Sequence, residues 1–312
     1  MMPLLLKPEN SSKLISLKPS FKQRKYTRDK NLALNGLRRV LKTPPSFMPP
    51  QGNGEVTTPF TDYKTNMDTG SKPLMNRIIS QNQCAFIKGR LISDNILLAH
   101  ELTHHLKTKQ KSFSHDMTIK LDMSKAFDRL EWPCLIAILQ ALGFHANFIE
   151  IIKQCTQTVS YSVLVSGKTY GSFIPSRGLH QGDPLSPFLF VIAMEGFNLL
   201  LEKARIEQQL RGVQINRRCS EISSLPFADD VLLFSKADAH HATTLKHLLT
   251  RFEDLSDQQI NVNKFAIFFS KFCPPHFSSE IGRTFDIPNI GSQDMYLGLP
   301  AMINKSKKAT MH

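Results

Sequence analysis

Hydrophobic and polar positions alternate most cleanly at "MTIKLD", residues 117–122. Met117, Ile119 and Leu121 face one way, and Thr118, Lys120 and Asp122 the other. That period of two predicts a strand delivering Asp122 at its end. "DNILLAHELTHHLKTK" (94–109) predicts a helix with Asp94 as its N-cap. Pro133 can begin the next helix and Gly143 can close it. "YSVLVSGKTYGSFIPS" (161–176) predicts a hairpin turning at Ser166–Gly167. Ser186 and Pro187 fit the N-cap and N1 positions of a buried helix running to about residue 206. Residues 222–235 predict a second hairpin, with Asp229 and Asp230 at its turn. A helix over 239–256 and a strand over 264–270 follow. Strands and helices alternate without a regular βαβ count or an internal repeat, so the expected fold class is α+β.

Residues 1–75 break this pattern. They are rich in Lys, Ser, Pro, Asn and Thr, and "KTPPSFMPPQGNG" (42–54) has linker composition. A disordered basic arm and linker is expected there, and a folded domain over 76–312. The net charge of +13 points to a polyanionic partner such as nucleic acid, or to an acidic membrane surface. That charge is uneven. Residues 1–50 hold eleven Lys or Arg against only Glu9 and Asp29, so the remaining body is mildly basic. Five cysteines lie far apart with no C-x-x-C pair, which fits a reducing intracellular compartment without a disulfide framework or a zinc site built on Cys. "FLFVIAMEGFNLLL" (188–201) is interrupted by Glu195 and Asn198 and is too short to span a bilayer, so no membrane partner is expected.

The adjacent carboxylates of "SSLPFADDVLLFS" (223–235) need an explanation, because burial and mutual repulsion both oppose their ionisation. A plain solvated turn is one reading, since Asp tolerates turn conformations. The flanking apolar residues favour a turn packed on a sheet, where a cation would relieve the repulsion. With Asp122 from a neighbouring strand end, Asp229 and Asp230 would form a two-metal site suited to phosphoryl transfer. A rival motif is "HELTH" (100–104), which matches the H-E-x-x-H of zinc proteases: His100 and His104 would share a helix face beside Glu101. It lacks the following G-x-x-H and an evident third ligand. "SRGLHQGDPLSP" (176–187) is a loop whose Gly178 and Gly182 permit close backbone approach and whose Gln181 both donates and accepts.

In order, "KLDMSKAFDRLEW" (120–132), "SRGLHQGDPLSPFLF" (176–190), "PFADDVLLF" (226–234), "QQINVNKFAIFFS" (258–270) and "YLGLP" (296–300) resemble the successive motifs of a reverse transcriptase. The variant is similar to the plant LINE-type, non-LTR retrotransposon enzyme. "NQCAFIKGRLISDNILLAHEL" (82–102) matches the segment such enzymes carry before the first catalytic strand. The resemblance implies an α+β polymerase palm with partial fingers, an antiparallel sheet backed by helices, and no thumb, in a truncated copy. It implies two Mg²⁺ ions, with Mn²⁺ as a substitute, held by Asp122, Asp229 and the weaker Asp230. Lys264 would protonate the pyrophosphate leaving group. Phe127 would be the steric gate under the sugar 2′ position, and Gln181, Gly182, Arg90 and Lys125 would contact nucleotide or template. The implied partners are an RNA template, a DNA primer and deoxynucleoside triphosphates; the implied location is the nucleus rather than an organelle. A non-catalytic nucleic-acid-binding remnant is the alternative, and the zinc protease a third. The sequence departs from the family pattern at Pro226, in a strand position usually apolar, at Asp257, in place of a glycine, and at His180, in place of a basic residue.

Overall fold

Strand β1 (Asp116–Leu121) lies inside a four-stranded antiparallel sheet, between the strands at Asp230–Lys236 and Ala266–Phe269, with Ser224–Phe227 at the far edge, and it is buried along its whole length. The computed structural model describes residues 75–109, 114–216 and 219–286, with the backbone at 295–296 and 299–300. The basic arm and linker expected over 1–75 therefore lies outside the described residues, except for Met75.

Both faces of the sheet are covered. On one face Met117, Ile119 and Leu121 join Val231, Leu233 and Ile267 in the main core. Three helices close over it: α3 (Trp132–Ala141), α5 (Ser186–Ile206) and α6 (Ala239–Ser256). On the other face Leu225, Leu232, Phe234 and Phe268 meet Ala99, Leu102 and Leu106 of α1 (Ile92–Thr108). Thr118 and Lys120 share that second face and are buried too. The strand thus keeps its alternation although neither side meets water. Asp116 starts it with its carboxylate held between Lys109, at 2.6 Å, and Lys236, at 2.8 Å.

The helix α1 starts earlier than expected. Leu91 is its N-cap, without a side-chain bond, and Asp94 sits inside the first turn. There Asp94 complements the helix dipole instead of capping the helix. After β1 come a short helix α2 (Ala126–Arg129) and α3, which carries Pro133 in its first turn and is followed by Gly143 at φ +82°. A helix α4 (Ala146–Gln157) has no counterpart among the expected elements. The hairpin β2 (Tyr161–Val165) and β3 (Lys168–Phe173) turns where expected, with Ser166 and Gly167 both at positive φ, as a two-residue turn matching strand twist requires.

The helix α5 is buried almost all round, and Gly196 lets it approach α3: a Cβ there would lie 2.7 Å from the Ile138 side chain. Its N-cap is Leu185, one residue earlier than predicted, and the Leu185 N–H donates to the Asp183 carboxylate at 3.0 Å. The second hairpin is β4 (Ser224–Phe227) and β5 (Asp230–Lys236). The helix α6 has the expected bounds, with Asp238 accepting from the His241 N–H at 2.9 Å. The strand β6 (Ala266–Phe269) is shorter than predicted, because Asn261 caps a 3₁₀ turn over Val262–Lys264. Lys264 therefore stands on a turn rather than in a strand. The helix α7 (Pro275–Thr284) and a pair of two-residue strands, β7 (Met295–Tyr296) and β8 (Leu299–Pro300), complete the described residues. None of the described helices is long and apolar enough to cross a membrane.

Candidate active site

Register explains how two aspartates 108 positions apart come together. Leu121 of β1 pairs with Val231 of β5, so one further step sets Asp122 beside Asp230. Phe227 pairs with Asp230 across the second hairpin, leaving Ala228 and Asp229 as its two-residue turn. Ala228 takes φ +52°, a left-handed conformation that costs a non-glycine residue roughly 1–2 kcal/mol. A strained residue beside a carboxylate pair is a common feature of sites built for chemistry.

Lys264 completes the group. Its Nζ donates to Asp122 Oδ2 at 2.9 Å, and the Asn261 N–H donates to the Asp122 carbonyl at 2.8 Å. Burial pushes the Asp229 carboxyl above its ordinary range, and Asp122 pushes the same way, against the Asp229 backbone N–H and Lys264. Burial also raises Asp230, aided by Asp229 and Asp122 and opposed by Lys120 and Lys264. The hydrogen bond to Asp122 raises Lys264. Three carboxylates in mutual repulsion form a donor set of the oxygen type that Mg²⁺ and Mn²⁺ favour. Even so, among the described residues no three His, Cys, Asp or Glu side chains converge closely enough to hold a metal ion as they stand. The Asp122 carboxylate bonds the Lys264 ammonium.

The remaining candidate residues are distributed as follows. Phe127 is half-buried and stacks on Phe190, with ring centroids 4.7 Å apart. Its carbonyl accepts from the Leu179 N–H at 2.8 Å, and Gly178 N–H donates to Leu130 O at 2.8 Å. The loop holding Gln181 and Gly182 is thereby tied to the segment holding Phe127. Gln181 is exposed and helps to line a cavity of 760 Å³ with Asp128, Trp132, Tyr161, Phe173 and His180. Gly182 is exposed at φ +95°, and Lys125 is exposed at φ +49°. Arg90 points inward: its guanidinium donates to the carbonyls of Ser80, Gln83 and Ile79. It shapes a loop in the segment before β1.

His100 and His104 lie on α1, whose Leu102, Thr103 and Leu106 are buried while His104 is exposed. No third His, Cys, Asp or Glu joins them among the described residues, so α1 serves as a packing helix. Pro226 is accommodated because β4 is an edge strand, where a missing N–H on the outer side breaks no ladder bond. Asp257 takes the left-handed position, φ +53°, that ends α6, and the guanidinium groups of Arg129 and Arg177 hold its carboxylate.

Residues 57–300 match the reverse transcriptase (RNA-dependent DNA polymerase) family. The transposon TX1 uncharacterized 149 kDa protein of Xenopus laevis is 30% identical over 179 residues, 56% of this chain and 13% of that protein. The Pol polyprotein of the R2 retrotransposable element of Popillia japonica is 30% identical over 156 residues, 48% of this chain and 24% of that protein. An uncharacterized mitochondrial protein of Arabidopsis thaliana, AtMg01250, is 40% identical over 67 residues, 22% of this chain and 55% of that protein. The chain thus spans less than a quarter of the two transposon proteins. The match covers every element of the site described above. The TX1 and R2 relatives are proteins of transposable elements, and the chain itself belongs to the reverse transcriptase family.

Proposed function

We propose that this domain catalyses RNA-directed DNA synthesis, joining a primer 3′-hydroxyl to the α-phosphate of a deoxynucleoside triphosphate. The observation that supports it is the register that puts Asp122 beside Asp230, with Asp229 on the adjoining turn. Asp122 and Asp229 would hold two Mg²⁺ ions, or Mn²⁺, with Asp230 in support; these ions supply activation of the hydroxyl and neutralisation of phosphate charge. Lys264, whose ammonium bonds Asp122 Oδ2 at 2.9 Å, would give a proton to the departing pyrophosphate. Gln181 and Gly182 pack against nucleotide and template, while Arg90 acts through the loop it shapes and Lys125 offers an exposed cation to phosphate. The 40% identity to an Arabidopsis protein supports a plant source. The proposed site of action is the nucleus.

The direct test is divalent-metal-dependent extension of a DNA primer on an RNA template by the purified chain. Binding of the template-primer without any extension would instead make the chain a non-catalytic nucleic-acid-binding remnant. A second test concerns the sugar. Phe127 is only half-buried and leaves part of its ring available as a gate. Phe127→Ala is expected to raise ribonucleotide incorporation relative to deoxyribonucleotide by about tenfold or more. Unchanged selectivity in a folded, active variant would leave Phe127 as a packing partner of Phe190 alone.

A further inference from the structure

The outer edge of β4 needs partners, because an edge strand turns alternate backbone groups away from the sheet. On β4 and its turn the outward residues are Ser224, Pro226 and Ala228, and a side-chain amide meets each one. Asn82 Nδ2 donates to Ser224 O at 3.0 Å, and Asn95 Nδ2 donates to Pro226 O at 3.0 Å. The Ala228 N–H donates to Gln83 Oε1 at 3.3 Å. Pro226 has no N–H, so its outward side asks only for the donor that Asn95 supplies.

These amides are held firmly. Gln83 and Asn95 are buried, and Gln83 Oε1 also accepts from the Ala85 N–H at 2.9 Å. Asn95 Oδ1 accepts from the Cys84 thiol at 3.0 Å. Arg90 gathers the carbonyls of the loop, and the Ser80 N–H donates to Glu195 of α5 at 2.9 Å. Gln83 Nε2 is buried with no hydrogen-bond partner among the described residues. A glutamine held at that cost marks its acceptor oxygen as the useful atom. That oxygen meets the N–H of the one residue of the catalytic turn in a left-handed conformation.

We propose that Gln83, assisted by Asn82 and Asn95, is a positioning residue for Asp229. The amides replace a neighbouring strand, and Gln83 fixes the turn from which Asp229 projects. The inference rests on the polymerase reading of that turn. It goes beyond that reading by giving the segment before β1 a role in setting the metal ligands.

The test is Mn²⁺ binding to the full chain, followed by electron paramagnetic resonance without nucleotide, together with Tm and primer-extension kinetics. Gln83→Met removes the acceptor at similar volume. It is expected to weaken Mn²⁺ binding about fivefold to tenfold and to lower kcat by a similar factor, while the KM for template-primer stays unchanged. Asn82→Ala removes one half-buried bond, and it serves if Gln83→Met fails to fold. It is expected to weaken Mn²⁺ binding about twofold to threefold at unchanged Tm. Wild-type Mn²⁺ affinity in folded Gln83→Met, or in Asn82→Ala where the former does not fold, would overturn the inference. Asp229→Asn separates the two levels. If it binds Mn²⁺ as the wild type does, the metal-site reading itself falls and takes this inference with it. If it binds weakly while Gln83→Met binds normally, only the positioning role falls.

Discussion

Asp229→Asn is expected to reduce primer extension by about 10³-fold, some 4 kcal/mol of transition-state stabilisation, because it removes a charge that would place a catalytic ion. Asp230→Asn is expected to be equally damaging or milder. The same Asp229→Asn change should stabilise the metal-free fold. Asp229 is a carboxyl whose pKa folding raises. Such a group binds its proton more tightly in the folded state, so stability falls as pH rises from the unfolded pKa through the folded one. Above the folded pKa the penalty is fully present. An uncharged amide relieves it, and a Tm rise of about 2 °C is expected in the presence of a chelator. Partial exposure to solvent keeps the effect small. A variant losing both activity and stability would contradict the electrostatic account of the turn, and wild-type activity would end the assignment of Asp229.

Gly178→Ala is expected to be the most destabilising single methyl addition in the loop 176–187. Gly178 sits at φ +87°, and a Cβ there would lie 2.7 Å from the Asp128 carbonyl oxygen. That oxygen belongs to backbone and cannot swing aside. Left-handed strain and overpacking together cost about 2–5 kcal/mol. Urea unfolding should show a lower midpoint at unchanged slope. Gly182→Ala is the control: φ is +95°, but nothing lies within 4 Å of the added atom. Only the conformational cost remains, roughly 1–2 kcal/mol. Equal losses at both positions would mean that the Asp128 contact contributes nothing.

The parts of this molecule that sequence made legible are those whose signal is local. Alternation marked β1, and the end of that alternation marked Asp122. Two facing apolar runs marked the hairpin, and the polar pair between them marked its turn. The helix over 239–256 showed its bounds in its own periodicity. Local signals misled where tertiary contacts decide the outcome. Asp94 has the composition of a cap, yet the chain turns helical two residues before it. Lys264 reads as strand, yet Asn261 folds that stretch into a 3₁₀ turn. The amides on β4 left no trace at all. Asn82, Gln83 and Asn95 are ordinary polar residues, and their partners lie more than a hundred positions away. Nothing local shows that the Arg90 guanidinium closes on the carbonyls of the loop that carries it.

The covering of β4 also bears on how the folded chain behaves among its copies. A free edge is the place where a foreign strand docks, and a run of unspent donors and acceptors invites self-association. Here the edge nearest the carboxylates offers no such invitation. Its carbonyls at Ser224 and Pro226 are already occupied, Pro226 has no proton to lend, and the Ala228 N–H is engaged. A strand from a second copy pairing there would first have to displace the side-chain amides of Asn82, Gln83 and Asn95.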